Sequence, residues 1–314
     1  MNKKIINSLL VVIILLVASC SSKESNILPP TPGGLLQRGT HSIKFTYAPL
    51  PDKPVMLYYH IPEDGDMRTM RILFAMHGAE RDAQYQIETW KDIANDYKVM
   101  VFAPEFTSAL FPANNEYQYG GVSLFSGSWM EKDKAKWTVS VIEAMFDFIK
   151  QQTNNSAAKY DIWGHSAGSQ FTHRLMFFLP EARVRMAVAS NSGVWIIPSL
   201  TGYGEGSYSY PHSLKGTPYT EEDLKTYFSR PLIVHLGTAD LVQDSAFPTG
   251  DAAMAQGASR YARGNYFFNF AKDAAAAGSY TFNWRKVEVT GVGHNSRRMV
   301  QYPNGAAELL YGNK

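Results

Sequence analysis

Between residues 71 and 178, short apolar runs alternate with stretches of helical periodicity, and few folds accommodate that order. Arg71–Met76 and Lys98–Ala103 read as strands, and between them Ile87, Trp90, Ile93 and Tyr97 recur at the spacing of one helix face. A second helix is expected over Thr138–Lys150, where Val141, Ile142, Met145, Phe148 and Ile149 form a stripe; a strand follows at Tyr160–Trp163 and a helix at Ser169–Phe178. Strands also fit Arg185–Ala189, Leu232–Leu236 and Phe282–Val289, with a helix over Asn265–Ala277. Strands that alternate with helices pair in parallel, because each crossover returns the chain to the same sheet edge. Two earlier strands, Ser42–Tyr47 and Val55–His60, predict an antiparallel entry to that sheet.

Composition allows a large core, with 45% apolar and 18% charged residues. The formal charge of +2, without a long run of like charges, argues against a nucleic-acid partner. The single cysteine, Cys20, excludes an internal disulfide framework, a Cys-rich zinc site and an iron–sulfur cluster. Its setting explains its presence. Lys3 and Lys4 precede an apolar run from Ile5 to Val17, and Val17-Ala18-Ser19-Cys20 follows. This segment resembles a bacterial lipoprotein signal. The resemblance implies removal of residues 1–19, acylation of Cys20, a membrane partner reached through lipid and, since Ser21 stands where Asp would favour inner-membrane retention, the outer membrane. Removal of Lys3 and Lys4 leaves basic and acidic residues equal in number, so lipid rather than charge would hold the protein at a bilayer. Residues 20–35, rich in Ser and Pro, are expected as a tether, and residues 36–314 as one domain.

Gly164-His165-Ser166-Ala167-Gly168 matches G-x-S-x-G at a strand-to-helix junction, the context in which the motif has chemical meaning. A serine hydroxyl is a weak nucleophile at neutral pH, so it needs a base, and the base needs an orienting carboxylate. Asp240 follows the strand Leu232–Leu236 and is the preferred acid over Asp244 and Asp251, which lie further from the strand end. His294, in the Gly-flanked segment Thr290–His294, is the preferred base. Among the other histidines, His60, His77 and His235 at strand ends are expected to satisfy buried hydrogen bonds, His41, His173 and His212 to be partly exposed, and His165 to shape the turn. Donors for a developing oxyanion are expected from the backbone N–H groups of Ala167 and Ala79.

The order Ser166, Asp240, His294, with His77-Gly78-Ala79 after the first parallel strand, resembles the α/β-hydrolase serine carboxylesterases, in particular the bacterial branch of poly(3-hydroxybutyrate) depolymerases and feruloyl esterases. The chain carries Ala79 and Glu80 where many lipases have a triple-Gly loop. The resemblance implies an α/β-hydrolase fold, a mostly parallel sheet with helices on both faces, and ester hydrolysis with neither cofactor nor metal. Two irregular stretches rich in rings, Phe106–Trp129 and Val194–Tyr210, are expected to form a loop cap; Tyr119, Trp129 and Trp195 are candidate substrate contacts, with packing of the loops as the alternative. Flat rings suit an aryl ester or an ester decoration of a polysaccharide. A serine peptidase of the same fold and a non-catalytic binding lipoprotein are the competing readings.

Overall fold

The computed structural model describes residues 34–125 and 127–312; the lipobox at 17–20 and the tether up to residue 33 lie outside them. Among the described residues one eight-stranded sheet runs in the order β1-β2-β4-β3-β5-β6-β7-β8. Its strands are β1 Gly39–Phe45, β2 Val55–Ile61, β3 Arg71–Met76, β4 Val99–Glu105, β5 Tyr160–His165, β6 Val184–Ser190, β7 Leu232–Gly237 and β8 Arg285–Val289. β2 pairs antiparallel with both β1 and β4, whereas the pairings from β4 through β8 are parallel. The parallel strands are covered on both faces, which is why they read as unbroken apolar runs. Along β3, Ile72, Phe74 and Met76 join the larger core, while Leu73 and Ala75 join the opposite one.

Helix α1 (Ala83–Tyr97) puts Ile87, Trp90 and Ala94 into the smaller core, together with the short terminal helices α7 (Ser296–Gln301) and α8 (Ala306–Tyr311). Trp90 is fully buried and meets Trp163 of β5 edge-on at 5.5 Å. On the other face α2 (Ser140–Thr153), α3 (Ala167–Phe178) and α6 (Arg260–Ala277) supply Ile142, Phe146, Phe171, Leu175 and Phe267. The fold is thus the expected layered α/β arrangement with helices on both faces. Because β4 lies on one side of β3 and β5 on the other, the strand order reverses at β3, and a crevice opens at the carboxyl ends of β3 and β5.

Some boundaries differ from expectation for local reasons. β8 begins at Arg285 rather than Phe282, since Asn283 N–H donates to Phe228 O at 2.9 Å and draws this segment to the end of α4 (Glu221–Ser229) before sheet pairing begins. α6 begins five residues early, at Arg260, because Ser259 caps it by accepting from Ala262 N at 3.1 Å. Replacing Trp90 by Ala removes a fully buried ring, so Trp90→Ala should lower unfolding free energy by about 3–5 kcal/mol, measured by urea titration at neutral pH. A loss below about 1 kcal/mol would mean that this ring is not a keystone of the second core.

Candidate active site

The G-x-S-x-G segment closes a turn that only glycines permit. A Cβ at Gly164 would lie 2.2 Å from Gly168 O, and one at Gly168 would lie 2.3 Å from Met76 O. Helix α3 therefore starts against the ends of β3 and β5, and Ser166 between them takes φ 57° and ψ −116°, a conformation costly for a side chain and typical of strained functional turns. Ser166 N–H donates to Ser190 O at 3.0 Å, and Gln170 N–H donates to Ser166 O at 3.1 Å, which holds the turn. The Ser166 side chain stands half-buried at the crevice.

Asp240 and His294 meet across neighbouring loops. His294 Nδ1 lies 2.7 Å from Asp240 Oδ2; an ionised carboxylate only accepts, so Nδ1 is the donor, and in the neutral ring that tautomer leaves the lone pair on Nε2. Asp240 is buried, its side chain 1% exposed. The two loops are laced together at the end of β6. Asn191, at φ 49°, accepts from Gly237 N through Oδ1 at 2.8 Å and donates to Gly293 O through Nδ2 at 3.2 Å. Ala239 N–H donates to Val292 O at 3.0 Å. Asp244 is engaged elsewhere, by Arg260 at 2.8 and 3.0 Å, and that guanidinium holds its carboxyl below the ordinary range; Asp251 is exposed at the first turn of the short helix α5 (Asp251–Met254). Of the three candidate acids, Asp240 is the one hydrogen-bonded to His294.

Ala167 opens α3 directly after Ser166, and Ala79 lies exposed in the loop after β3. That loop is braced from beneath. His77 is fully buried, with Nδ1 donating to Gly78 O at 2.9 Å and Nε2 accepting from Phe106 N at 3.1 Å, while Tyr117 Oη donates to His77 O at 2.7 Å. A Cβ built on Gly78 would be 3.9 Å from Ser166 Cβ, so the loop backbone passes beside the serine.

The remaining histidines separate clearly. His235 accepts from Ser190 Oγ at 2.8 Å and donates to Asn304 O at 3.0 Å, and His60 lies between Thr40 and Asn95, so both have the structural roles expected of them. His173 is a correction: it is fully buried, with Nδ1 donating to Ser169 O and Nε2 accepting from Ile196 N. α3 is buried on every side, so a polar position on it does not face water. His165 packs its buried ring 4.5 Å from that of His294, and burial first, then the charges of His294, Arg260 and His235, hold it well below the usual imidazole range. It backs the His294 ring as a neutral group.

The aromatic candidates part ways. Tyr119 lines a cavity of about 500 Å³ with Asn114, Tyr208, Tyr210 and His212. The cavity is tied to the serine turn through Gln170, which donates to Gln118 Oε1 at 3.0 Å; Gln118 in turn donates to Asn114. Trp129 stacks on Phe178 and meets Tyr210 and Tyr219 edge-on, fastening the cap to the body. Trp195 is 0% exposed and stacked on Phe267 at 4.5 Å, which removes it from the substrate contacts; it is core. Sequence reading missed Arg260, which lies behind Asp240 and belongs to no local pattern that would have marked it, and it placed Tyr117 in the ring-rich stretch without its role beneath the His77 loop.

The sequence matches no family model and no curated protein. Solved structures do resemble it. Poly(aspartic acid) hydrolase-1 from Sphingomonas sp. KT-1 is 33% identical over 86% of this chain and 98% of its own, with a TM-score of 0.79. The poly(3-hydroxybutyrate) depolymerase LpqC from Bordetella parapertussis is 25% identical over 88% of this chain and 92% of its own, also with a TM-score of 0.79. S-formylglutathione hydrolase FrmB from Staphylococcus aureus, at 15% identity over 83% of this chain and 93% of its own with a TM-score of 0.52, shares the fold. Fold and likeness together define a hydrolase of the α/β-hydrolase class. Within that class the chain belongs to the family of poly(aspartic acid) hydrolase-1.

The buried histidines that brace the site make it acid-labile. Burial pushes His77 down to about 3 and His235 down to about 4 from 6.5. Below pH 6.5 the unfolded chain binds protons that the native chain refuses, so stability is complete above that pH and declines as pH falls toward 4. Each such histidine lowers stability by about 1.4 kcal/mol per pH unit in that window. Urea midpoints at pH 7.0 and 5.2, above the main carboxylate titrations, should therefore differ by more than the error of the measurement, with pH 7.0 the more stable; equal midpoints would contradict burial of neutral imidazoles.

Proposed function

We propose that this chain is a serine carboxylic-ester hydrolase that works through an acyl-enzyme on Ser166. The observation that carries the reading is the 2.7 Å hydrogen bond between His294 and buried Asp240, on loops bound to the strand end beside the Ser166 turn. His294 Nε2 takes the hydroxyl proton as Ser166 Oγ attacks the ester carbonyl, and Asp240 stabilises the resulting imidazolium and fixes its orientation. The backbone N–H groups of Ala167 and Ala79 receive the oxyanion. Collapse expels the alcohol, which leaves with the proton held by His294, and a water activated by the same histidine releases the acid and restores Ser166.

The substrate reading follows the cavity. Tyr119, Tyr208 and Tyr210 line it, and Gln170 and Arg174, one and two turns along α3 from Ser166, contact Gln118 and the Tyr119 ring; in this reading the ester extends a ring or a repeating unit toward that space. Aryl esters and ester-decorated polysaccharides have such groups. The two relatives are named for poly(aspartic acid) and poly(3-hydroxybutyrate), and both polymers belong in the substrate panel. Turnover of peptides but of no ester would favour the peptidase reading.

Ser166→Ala should abolish ester turnover and fluorophosphonate labelling while leaving the unfolding midpoint within error, with losses near 10⁶-fold having precedent for triad serines. Asp240→Asn should lower kcat by about 10⁴-fold, as the loss of an orienting carboxylate does. Residual turnover above a few per cent in Ser166→Ala would end this mechanism. The lipobox further supports lipid attachment at Cys20 and an envelope location, with the outer membrane as the destination. Cys20→Ser should shift the protein from the membrane fraction to the soluble fraction and abolish incorporation of labelled palmitate; continued incorporation would refute attachment at that residue.

A further inference from the structure

An ion pair that the proposed triad does not use lies behind it. Arg260, the first residue of α6, is 1% exposed and sets Nη1 3.7 Å from Asp240 Oδ1, too far for a hydrogen bond and close enough for strong charge interaction. Its terminal nitrogens are occupied by Asp244 instead, Nη1 with Oδ2 at 3.0 Å and Nη2 with Oδ1 at 2.8 Å. The first turn of α6 also braces the acid through its backbone, since Tyr261 N–H donates to Asp240 O at 3.2 Å. Asp240 Oδ1 is buried without a hydrogen-bond partner. Arg260 thus compensates the Asp240 charge without drawing the carboxylate off His294, and Asp244, 41% exposed, holds Arg260 in place from the solvent side.

Resting on the serine-hydrolase reading, we propose that Arg260 and Asp244 form a charge couple that sets the basicity of His294 through Asp240, with Arg260 as a positioning residue and Asp244 as its solvent-side counterweight. The groups around His294 leave this couple as the adjustable element. From β5 comes His165, buried and neutral; from β7 and its loop come His235, behind His165, and Asp240 and Asp244; from α6 comes Arg260. On the chain following His294, the Arg297 and Arg298 guanidiniums lie over the rings of Tyr85 and Tyr302. The couple is the only arginine–carboxylate pair among these groups, and its two members act on a protonated His294 with opposite sign.

Opposite sign makes the test sharp. Removing the Asp244 charge leaves Arg260 uncompensated, disfavours the imidazolium and moves the acid limb of the kcat/KM profile to lower pH. Removing the Arg260 charge favours the imidazolium and moves that limb to higher pH. On p-nitrophenyl acetate at low salt, Asp244→Asn should shift the limb down by about half a pH unit and Arg260→Gln up by about half to one unit, with Asp244→Glu returning it to the wild-type position. The same displacements should appear in the NMR titration of the His294 ring in Ser166→Ala protein, a reading that needs no turnover. Shifts of the same sign, or lower rates and melting temperature with the limb unmoved, would reduce the pair to a structural strut and overturn the proposal. Should Arg260→Gln not fold, the exposed Asp244→Asn decides alone: no downward shift overturns it. A wild-type protein that neither hydrolyses esters nor reacts with a fluorophosphonate is a failure of the serine-hydrolase reading, and the NMR titration then still judges the couple.

Discussion

The architecture of the site depends on how closely one helix can approach one sheet. α3 enters at the junction of β3 and β5 with Gly168 against the carbonyls of Met76 and His77 and Gly164 against the carbonyl of Gly168, distances at which no side chain fits. That approach forces Ser166 into a left-handed turn, at a cost of about 1–3 kcal/mol. The strain is offset by an unusually buried helix, since all twelve residues of α3 lie inside the protein. The hydroxyl is thereby lifted into the crevice by packing elsewhere in the molecule, and a methyl group at either glycine would undo it.

Asp240 and His294 come together because the polar loops that carry them are hydrogen-bonded to each other and to the end of β6. Ser190 and Asn191, at the end of β6, serve five neighbours at once. Ser190 O accepts from the Ser166 turn, Ser190 Oγ receives the Trp163 indole N–H at 2.9 Å and faces His235, and Asn191 joins the loops of Asp240 and His294. A buried polar network of this kind is favourable only when its members find partners, and then it fixes geometry more sharply than apolar contact does. The consequence is that Asp240 and His294 are held in register by a third strand, β6, that carries neither of them.

The strands were the most legible part of the sequence, because a parallel strand covered on both faces has to be apolar throughout: Arg71–Met76 coincides with β3, and Leu232–Leu236 falls one residue short of β7. The elbow and the pairing of Asp240 with His294 were legible for a related reason, since glycines and strand ends carry positional information. α4 was not read, although Thr220 and Asp223 form a reciprocal capping box that marks its start. Trp195 was misread because its partner, Phe267, lies on α6, and nothing near a loop tryptophan in sequence tells a core ring from a binding ring. Arg260 was invisible for the same reason: the carboxylates that give it meaning belong to a loop 16 and 20 residues away.

The buried arginines explain how so much irregular backbone can be interior. Arg230 donates to the carbonyls of Met176, Leu179 and Ala182 at the end of α3; Arg263 donates to those of Gly257, Gly193 and Pro248; Arg174 donates to those of Gln170 and Pro211 while lying 4.5 Å from the Tyr119 ring. Loop carbonyls removed from water need donors, and one guanidinium supplies several in a fixed plane. These arginines therefore do for the loops what strand pairing does for the sheet. Because Arg174 ties Pro211 and Tyr119 to α3, two walls of the cavity are anchored on the helix that begins directly after Ser166.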